Sequence, residues 1–441
     1  MPKNKQNWNI AFEISPIISA SGGFGDKSGV FRYMYGFLVT LIKELKKKDP
    51  HVKIILFTFA PHNLNYGVTP ELLELIDNKN VTLLDYKENL VTIVPRYNKI
   101  FDFLDVRIIK KAVKILDNIF SLRESYNKHS EKRQFKSYVR HLEKEFFQQK
   151  VKTVFHSETG FFLLRHMTNI ITVYDLTPIL FPELHRPATV DLHLRKIRFA
   201  KNQAQMIIAI SDSTRADLLS HSADFRKKPI IVAYPGLDNS FTAKITEPKL
   251  GVKSKRYLLF YGTFEPRKNI TYVVRAFTEL YISGEIPADF KLVLIGGKGW
   301  GKTKEKILGY IVEQFPLQSM RPIVVLDYAT DLHLRVYIKN ARAVLYPSLY
   351  EGFGLPVLES MALGTPVLTS NTSSLPEVGG DAVLYVNPKD YFDLKNKIKT
   401  IISDNKLVEE MSRKGLIQSK KFTWKHTINQ VLPSLQSSLS K

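Results

Sequence analysis

Along most of the chain, short apolar runs alternate with longer stretches in which apolar positions recur every three or four residues. The runs "NIAFEI", "KIILFTF" (53–59), "VKTVF" (151–155), "IITVY" (170–174) and "MIIAI" (206–210) form one series, and "YLLFY" (257–261), "KLVLI" (291–295), "IVVL" (323–326), "AVLY" (343–346) and "AVLYV" (382–386) form a second. Most lack polar alternation, as strands buried on both faces of a parallel sheet do. Helical periodicity between them predicts α/β layering. Between the two series lies "NSFTAKITEPKLGVKSKR" (239–256), which is polar and aperiodic and reads as a linker. The expected architecture is two doubly wound Rossmann-like domains, residues 1–245 and 246–441, facing each other across a cleft, with the last helix packing back on the first domain. A length of 441 residues fits, since a single core stops growing at roughly 250–300. Ligands in such sheets bind outside the carboxyl ends of the strands, so chemistry is expected in the cleft.

One stretch breaks the apolar pattern. "YEGFGLPVLESMALGTPVLTSN" (350–371) sets Glu351 and Glu359 into an otherwise apolar run with Gly352 and Gly354 between them. A strand ends at "ARAVLYPS", "LYEGFG" is a loop, Pro356 suits the first position of a helix, and Gly364 suits its left-handed cap. The spacing places Glu351 on the loop and Glu359 within about the first turn. A helix N-terminus with glycines before it attracts an anion such as a diphosphate, and carboxylates beside it can accept hydrogen bonds from sugar hydroxyls. The alternative is an ordinary strand, loop and helix in which Glu359 only complements the helix dipole. Two more strand ends carry similar chemistry. "YLLFYG" runs into "TFEPRKNI", with Arg267 and Lys268 after a proline turn, and "KLVLIG" runs into the glycine-rich "GKGWG".

Composition narrows the partners. The chain has 64 Lys and Arg against 42 Asp and Glu, a formal charge of +22, spread over both halves. A nucleic-acid-binding protein is compatible with that total, but helix-turn-helix, zinc-finger and RNA-recognition signatures are missing, and no nucleic-acid partner is expected. Val106, Ile109, Val113, Leu116 and Phe120 follow helical spacing beside Arg107, Lys110, Lys111 and Lys114. Such a helix is either a core-facing stripe with a solvated basic flank or a surface for anionic lipid headgroups. No apolar run is long enough to span a membrane, and the N-terminus does not read as a secretory signal, so the expected location is the cytoplasm. With no cysteine, disulfides and thiolate chemistry are excluded. A nicotinamide oxidoreductase is disfavoured because "SGGFGDKSG" (21–29) does not space its glycines as G-x-G-x-x-G.

Taken together, "YGTFEPRKN", "LVLIGGKGWG" and "YPSLYEGFGLPVLESMALGTPVL" resemble the retaining sugar transferases of glycosyltransferase family 4, with their GT-B fold and E-x7-E signature, here Glu351 and Glu359. "SGVFRY" (28–33), "IAISDSTRADL" and "VAYPGLDNSF" extend the likeness through the first half, most weakly over 60–150. The resemblance implies that Glu359 binds the donor ribose and that Glu351 lies against the transferred sugar. It also implies that the amides of Gly352, Phe353, Gly354 and Leu355 hold sugar and phosphates, and that Arg267 and Lys268 neutralise the diphosphate. Gly29 would let the first domain close over the donor.

The partners so implied are a GDP- or UDP-linked sugar, GDP-mannose first, and a glycan or lipid-linked acceptor, as in bacterial surface-polysaccharide mannosyltransferases. No metal or other cofactor is implied, and no D-x-D triplet occurs. The chain departs from the family where Thr263 follows Gly262, and where "ITVYDLTP" puts Tyr174 and Asp175 at a usual histidine position. Asp175 and His156 are then the candidates to contact the sugar or receive the acceptor proton. A sugar phosphorylase or nucleotide-sugar epimerase of the same fold is the alternative among enzymes.

Overall fold

Two parallel sheets organise the chain in the computed structural model, which describes residues 9–21, 29–59, 74–84, 135–241, 243, 250–299 and 301–439. The first is built from β1 (Ile10–Glu13), β2 (Ile54–Phe57), β3 (Val81–Leu83), β4 (Thr153–His156), β5 (Thr168–Val173), β6 (Met206–Ala209) and β7 (Ile230–Val232), in the order β3-β2-β1-β4-β5-β6-β7. The second is built from β8 (Tyr257–Tyr261), β9 (Lys291–Ile295), β10 (Ile323–Leu326), β11 (Ala343–Tyr346), β12 (Val367–Ser370) and β13 (Leu384–Val386), in the order β10-β9-β8-β11-β12-β13. Both are doubly wound, and in both the order reverses beside the first strand. The ends of β1 and β4, and those of β8 and β11, are therefore the topological switch points where such sheets open a crevice.

The central strands form because their side chains are apolar on both faces and covered by helices on both sides. Each residue of "YLLFY" in β8 is buried, Phe260 completely, and truncating such a side chain costs about 3–5 kcal/mol. Two strands in the first sheet go beyond the five read from sequence. Val81–Leu83, of which only Val81 is buried, and Ile230–Val232, partly covered throughout, are three-residue edge strands whose apolar runs are too short to stand out. The basic 106–120 segment and most of the glycine loop before Gly29 lie outside the described residues.

The lobes meet along an extensive seam. The terminal helix Trp424–Leu439 lies against the first-lobe helix Gly29–Lys48, and Trp424 meets Tyr33 edge-on at 5.5 Å between ring centres. The Leu237 N–H donates to the Phe422 carbonyl at 3.0 Å. Glu377, from the second lobe, accepts from the Asp212 and Ser213 N–H groups at 2.8 and 2.7 Å, at the start of the first-lobe helix Asp212–His221. There the carboxylate satisfies amides that the helix itself leaves unpaired.

Candidate active site

The cleft between the lobes encloses a cavity of about 640 Å3. On the second-lobe side it is lined by Arg267, Lys268, Glu351, Gly352, Phe353, Gly354, Leu355 and Glu359, and on the first-lobe side by Gly29 and Asp175. His156 is not among its walls. It lies at the end of β4 with its ring between Phe59 and Phe199, and Asn169 Oδ1 is 2.9 Å from its Nε2. Burial pushes its pKa down to about 4, so it is a neutral core residue.

The glutamate loop is shaped from below. Ser374 Oγ donates to the carbonyls of both Glu351 and Phe353 at 2.8 Å, and Ser373 Oγ accepts from the Glu351 N–H at 3.0 Å. Gly354 then turns the chain at φ +114°, a left-handed value that glycine adopts without strain, and the helix Leu355–Ala362 begins. No side chain caps that helix; Pro356 has no N–H and the Val357 N–H donates to the Gly354 carbonyl at 3.0 Å, so Leu355 supplies the helix's one amide free for a ligand. Glu359 is the fifth helical residue, at the close of the first turn, where the spacing places it to within one residue. The first-lobe helix Gly29–Lys48 starts directly opposite, where a Cβ on Gly29 would stand 3.6 Å from Leu355 Cδ1. Two positive helix ends thus face one cavity.

The charged groups of the cleft are paired with one another. Arg267 Nη1 lies 2.7 Å from Glu351 Oε2 and 2.6 Å from the Tyr350 carbonyl, while its Nε has no hydrogen-bond partner among the described residues. Tyr346, the last residue of β11, donates to Glu351 Oε1 at 2.9 Å and accepts from Lys268 Nζ at 3.0 Å. Burial alone would raise the Glu351 pKa, but Arg267 and Lys268 hold it below the usual carboxylate value. Glu359 is 3% exposed and paired with Arg32 of the first lobe, and Tyr261 Oη, at the end of β8, stands 3.1 Å from its Oε2. Burial outweighs these partners there and raises its pKa.

Arg32, Tyr261 and Tyr346 were not singled out from sequence. An arginine inside a helix and a tyrosine ending a strand carry no signal until the lobes are brought together. Toward the first lobe, the Gly352 backbone packs so closely that a Cβ there would sit 2.3 Å from the Tyr174 carbonyl. Asp175 Oδ1 accepts from the Thr177 N–H at 3.0 Å. Among the described residues no three His, Asp or Glu side chains converge to hold a metal ion.

Paired doubly wound lobes facing across this cleft are the GT-B fold. Anabaena Alr3699/HepE, solved in complex with UDP and glucose, shares that architecture with a TM-score of 0.61 at 14% identity, over 98% of this chain and all of that one. The chain belongs to the family described as "Glycosyl transferases group 1", which residues 243–417 match. It is 30% identical over 285 residues to the O-antigen chain mannosyltransferase B of Escherichia coli, spanning 63% of this chain and 73% of that protein. It is 28% identical over 267 residues to the serotype-specific mannosyltransferase WbdA of Escherichia coli, spanning 58% of this chain but only 32% of that one.

Proposed function

We propose that the protein is a retaining, metal-independent hexosyltransferase of glycosyltransferase family 4. In this reading it moves mannose from GDP-mannose, or a hexose from a UDP-sugar, to a glycan or lipid-linked acceptor in surface-polysaccharide synthesis. The observation that carries the reading is one cavity ringed by two helix N-termini, Arg267, Lys268 and two buried glutamates. Mannose is favoured by the names of the relatives, O-antigen and serotype-specific mannosyltransferases. UDP-sugars are the second choice, and HepE was solved with UDP and glucose.

In this reading the diphosphate lies on the amides of Gly352 to Leu355, and the charge that develops as it leaves is met by Arg267 and Lys268. Fixed cations in a desolvated site perform that task at no reorganisation cost. Glu359 accepts from the ribose hydroxyls. Glu351, kept ionised by Arg267, lies against the sugar as positive charge develops at the anomeric carbon. The acceptor attacks from the face that the diphosphate leaves, the departing phosphate takes its proton, and configuration is retained. Asp175, on the wall opposite Gly352, is the candidate to orient the acceptor hydroxyl. The closed seam excludes water, which would hydrolyse the donor.

The test is a screen of GDP- and UDP-sugars for nucleoside diphosphate release that requires an acceptor, with the anomeric product read by NMR. Release without acceptor, or an inverted product, contradicts the reading. Glu359→Ala is expected to weaken donor binding, and Glu351→Ala to abolish turnover while binding persists. No helix among the described residues is long and apolar enough to cross a membrane. Peripheral attachment on the cytoplasmic face, which rests on the basic 106–120 segment alone, is checked by co-sedimentation with anionic liposomes.

A further inference from the structure

Glu359 is held from both lobes at once. Tyr261 approaches Oε2 from its own lobe at 3.1 Å, and the Arg32 guanidinium of the first lobe pairs with Oε1. Arg32 stands one turn into the helix Gly29–Lys48, whose start faces Leu355, the first residue of the helix that carries Glu359. Both residues line the cleft, and Arg32 keeps about a third of its side chain exposed there while Glu359 is nearly closed off.

A carboxylate offers about four acceptor positions, two on each oxygen. Arg32 takes one on Oε1, and Tyr261, whose single proton is shared with the Pro356 carbonyl at 2.8 Å, takes at most one on Oε2, so each oxygen keeps room for one of two neighbouring hydroxyls. A carboxylate buried this deeply without a cation takes up a proton and loses acceptor capacity. Its only cationic partner among the described residues belongs to the opposite lobe.

We propose that Arg32 is a positioning residue for the donor ribose: it pairs with Glu359 and aims its carboxylate from across the cleft, so that the diol is gripped fully only when the lobes are closed. The proposal rests on the reading that Glu359 binds the ribose. Opening the lobes withdraws Arg32, weakens the grip on the nucleotide and lets the spent nucleoside diphosphate leave. Donor binding and lobe closure then share one ion pair.

The test compares affinities for GDP and 2′-deoxy-GDP, or for the uridine pair if UDP is the nucleotide that binds. Wild type is expected to prefer the ribonucleotide by about tenfold or more, the value of a hydrogen bond to a charged acceptor. Arg32→Met is expected to bring that ratio close to one, and Arg32→Lys to restore part of it. General loosening of the fold would lower both affinities and leave the ratio unchanged. If Glu359→Ala abolishes the preference while Arg32→Met keeps the wild-type ratio, the proposal is overturned and the ribose assignment stands. If Glu359→Ala keeps the ratio, the ribose assignment itself fails, and the proposal with it.

Discussion

At the switch point of each sheet the chain buries groups capable of chemistry, and the two sets are in opposite states. In the first lobe, Glu13 ends β1 and His156 ends β4. Glu13 accepts from the hydroxyls of Ser15 and Ser157 and from the Phe59 N–H at 3.1 Å, and burial lifts its pKa to about 7. In the second lobe, Glu351 is also buried, yet Arg267 at 2.7 Å keeps its pKa below the usual value. Hydroxyls and amides satisfy a carboxyl in either state, whereas a paired cation selects the charged one. Burial alone thus leaves Glu13 able to hold a proton near neutral pH, while buried countercharge keeps Glu351 an anion. In the proposed reading the donor chemistry falls to the second lobe, and the first contributes one guanidinium and a wall.

The largest effect is expected from removing that countercharge. Arg267→Met leaves Glu351 buried without its nearest cation and should cost about 3–5 kcal/mol in chemical denaturation, with transfer at least ~100-fold slower. Adding Glu351→Gln should recover much of the stability and none of the activity. A single Arg267 variant as stable as wild type would erase the contrast between the lobes.

The converse experiment concerns Glu13. Its folded pKa of about 7 lies above the unfolded value of 4.5, so the native state binds the proton more tightly. That contribution is present in full below the unfolded pKa and is lost as pH rises through about 7, on the order of 3 kcal/mol in all. Glu13→Gln should flatten this part of the stability profile between pH 4.5 and 8. A profile as steep as wild type would place the titration elsewhere.

The seam between the lobes gives smaller effects. Gly352→Ala puts a methyl 2.3 Å from the Tyr174 carbonyl and should raise the free energy of closure by about 1–3 kcal/mol, a ten- to hundredfold loss in kcat/KM with little change in melting temperature. Unchanged kinetics would mean that catalysis does not need this closure. Smallest is Glu377→Gln, which weakens the contact to the Asp212 and Ser213 amides by about 1 kcal/mol. Scattering in solution would show a slightly more open average, and an unchanged distance distribution would count against the contact as a closing force.

The same contrast explains what could be read from sequence. The second-lobe loop was legible because its local rules agree: an apolar strand, glycines at the turn and cap, a proline at the helix start, and two acids where none are needed for packing. Phe353, Leu355 and Glu359 line the cleft for reasons contained within twenty residues of chain. Arg32 was invisible because its partner lies 327 residues away, on the opposite side of the cleft. His156 was a candidate because a histidine at a strand end looks available, but the aromatic rings enclosing it come from chain segments far apart in sequence. The edge strands Val81–Leu83 and Ile230–Val232 escaped because three residues carry too little pattern.

The central claim is that the cleft holds a nucleoside diphosphate on paired helix ends and buried cations. The most direct measurement is a crystal structure with the nucleoside diphosphate that binds, GDP or UDP, at saturating concentration. The diphosphate is expected on the amides of Gly352 to Leu355, within hydrogen-bond reach of Arg267 or Lys268, with the ribose on Glu359. A nucleotide bound elsewhere, or one in the cleft whose phosphates touch neither cation, would contradict it.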